Sequence, residues 1–169
     1  MNLRRKLGYA TVALALSTGA YAANIVEAAK AAGEFTMLLK ANQVAGMDKT
    51  LMGRGPFTVF APTDAAFAKV PKPKLDALMK PANRNMLKTT LGAHLATGLI
   101  TMQAIEYGLA ANDAVVVSTV NNMPLVFKRE AGMITVNGAH MKPAMRVDNG
   151  IIYVIDTVMV PPMPLQPTY

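Results

Sequence analysis

The stretch Gly55–Phe67, GPFTVFAPTDAAF, constrains this chain more tightly than any other. Gly55 and Pro56 close a turn. Phe57–Ala61 alternates bulky and β-branched residues, which suits a pleated surface and predicts a strand. Pro62 ends it, because proline has no N–H for the ladder. Thr63 supplies the hydroxyl of a good N-cap. Asp64 sets a carboxylate in the first helical turn, where free N–H groups and the helix dipole favour it. Ala65, Ala66 and Phe67 then begin a helix with one large anchor. The stretch predicts turn, strand, cap and helix in that order, with Phe57, Val59 and Phe67 in the core.

A second dense stretch lies near the end, Asn149–Pro162, NGIIYVIDTVMVPP. Together the two resemble the signature segments of the fasciclin domain family. In that family TVFAPT(D/N)-A-F joins a strand to a helix, and NG-x-I-x-VID-x-V-x-x-P closes the domain. Between them, LGAHLATG places His94 where the family has Tyr-His followed by apolar residues and Gly. Ala93 stands in place of that Tyr, and Tyr153 in place of the His common in the closing segment. The resemblance covers about residues 24–162. It implies an α+β fold in which a two-sheet antiparallel β-wedge carries a helical lobe at one side. It also implies adhesion, or extracellular matrix or surface interaction.

Composition fits one such domain. A chain of 169 residues can bury a sizeable core, and 52% hydrophobic against 16% charged residues excludes general disorder. With no Cys there is neither a disulfide framework nor a thiol nucleophile. Met1–Ala22 reads as a secretory signal peptide: basic Arg4, Arg5 and Lys6, an apolar run over Leu7–Leu16, and the small-x-small site Ala20-Tyr21-Ala22. The run is shorter than the about 20 residues of a bilayer span. The expected organisation is a signal peptide (1–22), one domain (23–162) and a Pro-rich tail (163–169), located in the periplasm or outside the cell.

Removing Arg4, Arg5 and Lys6 leaves 14 of the 17 cations against 10 acids. The excess is local. Lys69, Lys72, Lys74, Lys80, Arg84 and Lys88 are opposed only by Asp76. Lys72, Lys80, Arg84 and Lys88 are therefore candidate contacts for an acidic protein, a polysaccharide or lipid headgroups. The alternative is a solvated helical face. Nucleic acid is not expected, since no aromatic residue interleaves the lysines and the leader directs export.

Periodicity and caps predict helices over Ile25–Ala32, Phe35–Val44, Met47–Met52, Lys74–Met79, Asn83–Leu91 and Thr101–Tyr107. Short strands are predicted at Ala93–Ala96, Ala114–Val120, Pro124–Lys128, Met133–Val136, Ala144–Val147 and Ile151–Val160. Asn121-Asn122 and Asn137-Gly138 mark hairpins.

Catalytic chemistry is poorly supplied. The one Ser beyond the leader, Ser118, lies in a valine run without a nucleophile elbow. His94 and His140 belong to no metal-ligating spacing, and Gly53-x-Gly55 is a lone glycine pair. The 13 Met are scattered, which suits core filling better than a thioether copper site. No cofactor, metal or enzymatic activity is expected. His94, in an apolar stretch, needs a buried partner, and Asp64 is the candidate, giving a structural pair. The expected function is a non-catalytic exported binding module for adhesion or protein/glycan interaction in the envelope or matrix. The alternative is an accessory subunit on a periplasmic membrane-protein complex. The leader reading predicts that the exported protein begins at Ala23, and intact mass checks it: a species retaining Met1–Ala22 points to an anchor.

Overall fold

The computed structural model describes residues 23–160, so the expected signal peptide and Pro-rich tail lie outside the described residues. Local chemistry starts the helices. Asn24 Oδ1 accepts from the N–H groups of Val26 and Glu27, and Glu27 Oε2 accepts from Asn24 N, a reciprocal capping box for α1 (Ile25–Ala32). α1 ends at Gly33 and α2 (Thr36–Ala45) at Gly46, both left-handed. α3 (Asp48–Leu51), β1 (Phe57–Pro62), α4 (Asp64–Ala68), α5 (Lys72–Leu78), a 3-10 turn over Pro81–Asn83, and α6 (Arg84–Gly92) complete a mainly helical half. β2 (Leu95–Thr97), α7 (Met102–Ala111), β3 (Val115–Ser118), β4 (Pro124–Glu130), β5 (Met133–Val136), β6 (Ala139–Val147) and β7 (Gly150–Ile155) follow.

The strands form one seven-stranded sheet in the order β2-β1-β7-β6-β5-β4-β3. This corrects the expectation of two antiparallel sheets in two respects. First, β6 joins the halves: Ala139 and His140 pair with β5, while Ala144–Val147 pair with β7 beyond an irregularity between Met141 and Ala144. Pro143, with no N–H, sits in that interruption. Second, β1 and β7 run parallel, from Phe57 opposite Gly150 to Pro62 opposite Ile155.

The continuous sheet is sharply curled. Phe60 on β1 and Phe127 on β4 have ring centroids 5.7 Å apart. Four strand spacings on a flat sheet would separate them by about 19 Å. At the opposite edges, Val120 N donates to Leu95 O at 2.9 Å, so the end of the β3 segment meets β2.

Curling buries β1 and β7 on both faces. Val59, Ala61, Ile152 and Val154 pack with the helical lobe, while Phe60, Ile151, Tyr153 and Ile155 pack with β4 and β5. A strand covered on both sides loses simple alternation. Hence Val59 and Phe67 are core residues as expected, but Phe57 is only half-buried and Phe60 is fully buried. Thr58 is buried too; its hydroxyl donates to Gly98 O and accepts from Ile100 N.

The two signature segments interlock at Asn149. Its Oδ1 accepts from Ile25 N at 3.0 Å, and its Nδ2 donates to Leu51 O and Gly53 O at 2.8 Å each. Its backbone carbonyl accepts from Phe57 N at 2.9 Å. A Cβ on Gly55 would run into Asn149 O, and one on Gly150 into Phe57 O. Both glycines are thus fixed by backbone approach. Gly33, by contrast, needs only its positive φ of 73° and has open space around it. Gly33→Ala should therefore cost about 1 kcal/mol, the strain of a left-handed alanine. Gly150→Ala should cost about 3 kcal/mol or more, because backbone must separate. Urea midpoints compare them, and equal losses would contradict the described β1–β7 contact.

Candidate functional site

Thr63 caps α4 as its sequence suggests, its Oγ1 accepting from Ala66 N at 3.2 Å. That frees Asp64 from its own helix. Its Oδ1 accepts from Met37 N at 2.7 Å and its Oδ2 from Thr36 N at 3.2 Å. The residue at the N-cap of α2, Phe35, has no side-chain acceptor, so Asp64 supplies one across the fold. Asp64 N donates to Glu34 O at 2.9 Å and completes the joint.

His94 is 2% exposed and has other partners. Its Nδ1 lies 2.8 Å from Thr90 O, and its Nε2 lies 2.9 Å from Met159 N. A carbonyl can only accept and an N–H only donate. The ring must therefore carry its proton on Nδ1 and accept at Nε2. Burial drives its pKa down from 6.5 to about 4, against the opposing pull of the Thr90 carbonyl. The expected Asp64–His94 pair does not form, because each side chain is committed to backbone. Instead His94 pins the segment after β7 onto α6. Val158 and Val160 there reach a cavity of only about 20 Å³, lined also by Phe67, Leu78, Leu87 and Leu91.

A second polar joint holds the same segment and was not foreseen. Asp156 Oδ1 accepts from His140 N at 3.0 Å, and its Oδ2 lies 3.1 Å from His140 Nδ1. Lys69 Nζ donates to Asp156 O at 2.8 Å and stands 3.7 Å from Oδ2. Burial works against this carboxylate, but hydrogen bonds from His140 and Thr157 and the charge of Lys69 outweigh it and hold its pKa below the usual range. The VID sequence flagged the stretch, but nothing local tied Asp156 to His140. Among the described residues, no three His, Asp or Glu are grouped to hold a metal ion.

The basic region maps onto α5, the 3-10 turn and α6. Lys72, Lys74, Lys80, Arg84 and Lys88 are all exposed. Lys72 bonds Asp76 one turn on, at 3.2 Å. Arg84 has a structural task, its Nε donating to Ala45 O at the C-terminus of α2. Lys74, Lys80 and Lys88 have no ion-pair partner among the described residues. A groove of about 510 Å³ lies elsewhere, between Val158–Val160 and Ala93, Pro124, Val126 and Asn137.

The Fasciclin domain family model matches residues 33–161. The chain is similar to protein sll1483 of the cyanobacterium Synechocystis, with 37% identity over 143 residues, 84% of this chain and 76% of that one. It is similar to the cell surface glycolipoprotein MPB83 of Mycobacterium bovis, with 32% identity over 126 residues; these span 73% of this chain but 51% of the relative. Among solved structures, a FAS1 domain pair from the insect cell adhesion molecule fasciclin I superposes with a TM-score of 0.72 at 21% identity. The match covers 82% of this chain and 51% of that chain, and it shows a shared fold.

Because Asp64 and His94 act separately, Asp64→Ala and His94→Ala should each lower the unfolding free energy by about 1–3 kcal/mol, read from urea melts. The double variant should lose the sum. The His94 term also depends on pH. Its folded pKa is below its unfolded value, so between pH 6.5 and about 4 the unfolded chain binds the extra proton. Stability from this group is full above pH 6.5, falls as pH falls, and is exhausted below about pH 4, a change of about 3 kcal/mol. Urea melts across that window should show a shallower slope for His94→Gln than for the unaltered chain; an unchanged slope removes the assignment.

Proposed function

The chain belongs to the fasciclin domain family, and from that premise we propose that it is a non-catalytic binding module of the cell envelope or exterior. It would mediate adhesion or contact with a protein or glycan, in the periplasm or outside the cell. One observation carries this reading. The polar side chains of the two signature segments and of the stretch between them are spent on holding backbone: Asp64 on α2, His94 on Met159 and Asn149 on three segments. Among the described residues, no buried side-chain nitrogen or oxygen is left without a partner. These bonds hold each side chain in one conformation, and both ring nitrogens of His94 are occupied by backbone groups. The cavity beside His94 is too small for more than a water-sized occupant.

The surroundings of the relatives agree. MPB83 is a cell surface glycolipoprotein, and fasciclin I is a cell adhesion molecule. No helix of the described residues is long and apolar enough to cross a membrane. Recognition then falls to exposed surface, for which the basic helical face and the groove by Val158–Val160 compete.

Pull-down from an envelope fraction at low and high salt, with mass spectrometry of the retained material, tests the reading. Recovery of a partner that is lost on altering one surface supports a binding module. Retention of an integral membrane complex assigns the accessory-subunit role instead of adhesion. Turnover of a substrate that requires Asp64, His94 or His140 beyond their effect on folding would end the non-catalytic reading.

A further inference from the structure

Resting on the binding-module reading, we infer that the face formed by α5, the 3-10 turn and α6 binds an acidic polysaccharide, with Lys80 and Lys88 as principal contacts. The charge is unbalanced there by construction. Residues 69–88 carry six cations and one acid, Asp76, which Lys72 already engages. Asp156 balances Lys69, and Asp64 is turned to other work as the cap of α2. Lys74, Lys80 and Lys88 remain exposed without ion-pair partners among the described residues. The face is also rigid, since Leu78, Leu87 and Leu91 bury the opposite side of both helices in the core.

What lies between the cations selects the partner. Protein interfaces are depleted in Lys and rely on aromatic or large apolar anchors. Here the exposed neighbours on α6 are Asn85 and Thr89, which can hydrogen-bond hydroxyl groups, and the half-exposed Met86 is the one large apolar side chain among them. A bilayer surface would want an apolar helix face turned outward; in α5 and α6 that face is turned inward. A chain of sugar carboxylates needs neither an apolar anchor nor a cavity. It needs spaced cations and polar side chains, which this face supplies.

Binding to immobilised polygalacturonate tests the inference, with neutral dextran, polyglutamate and phosphatidylglycerol vesicles as comparisons. Lys80→Glu/Lys88→Glu alters the face while leaving Arg84 on its helix cap. Lys128→Glu/Arg129→Glu makes the same charge change at exposed positions on β4. The unaltered protein should be retained by polygalacturonate, and retention should fall steeply between about 50 and about 200 mM salt. The face variant should lose about tenfold or more in affinity, as expected when two contacts are reversed, while the β4 variant keeps its affinity. Equal loss in both variants would reduce the effect to net charge and overturn the inference. Equal or stronger binding to polyglutamate or to vesicles would overturn the choice of partner. If polygalacturonate is not bound but the envelope pull-down still recovers a partner, this inference falls and the binding-module reading stands. If neither recovers anything, both fall.

Discussion

Asn149 is the joint on which the rest of the structure depends. One buried side chain satisfies an N–H of α1 and two carbonyls around α3, while its own carbonyl receives the first N–H of β1. A carboxamide can do this because it carries donors and an acceptor together. An aspartate at the same place would face two carbonyls with no proton to give. The adjoining Gly150 then lets β7 lie directly against β1. The register of the central strand pair is therefore fixed at its first step by hydrogen bonds, and the apolar burial of both strands follows from it.

Around that joint the fold uses polar side chains as fasteners between elements remote in sequence. Asp64 caps a helix other than its own, His94 grips the segment after β7, and Asp156 grips its start. Each of these side chains bonds a backbone group whose position the fold itself sets. These side chains are committed to holding the fold, while α5 and α6 present exposed charged surface. Because those helices are anchored by Leu78, Leu87 and Leu91, exposed charges on them can change without disturbing the core.

Much of the local structure was legible. The Thr63 cap, the helix over Ile25–Ala32 and the Asn137-Gly138 hairpin turn all act over a few residues, and all appear as read. What was not legible is what tertiary structure decides. Alternation in β1 suggested one buried face, but curling of the sheet covers both. The closing segment was recognised as a motif, yet its Asn could not be assigned partners in three distant segments. Asp64 and His94 were both correctly singled out as polar groups needing satisfaction, but pairing them assumed that side chains satisfy side chains. Here unpaired backbone groups at a helix start and at Met159 were the stronger claimants. At the basic face, exposure follows directly from amphipathic spacing, whereas the diversion of Arg84 to Ala45 required knowing that α2 and α6 are neighbours.

The parallel pairing of β1 with β7 also bears on the order in which the molecule can be made. β1 is synthesised early, yet one of its two neighbours is the last strand, about ninety residues later. Until that strand leaves the ribosome, the apolar residues of β1 lack half their cover, and the carbonyl that receives Phe57 N does not exist. A partial chain can form its capped helices but not its central sheet. Completion of the central sheet therefore waits until β7 has been made, and a chain that lacks β7 leaves one side of β1 without its partner.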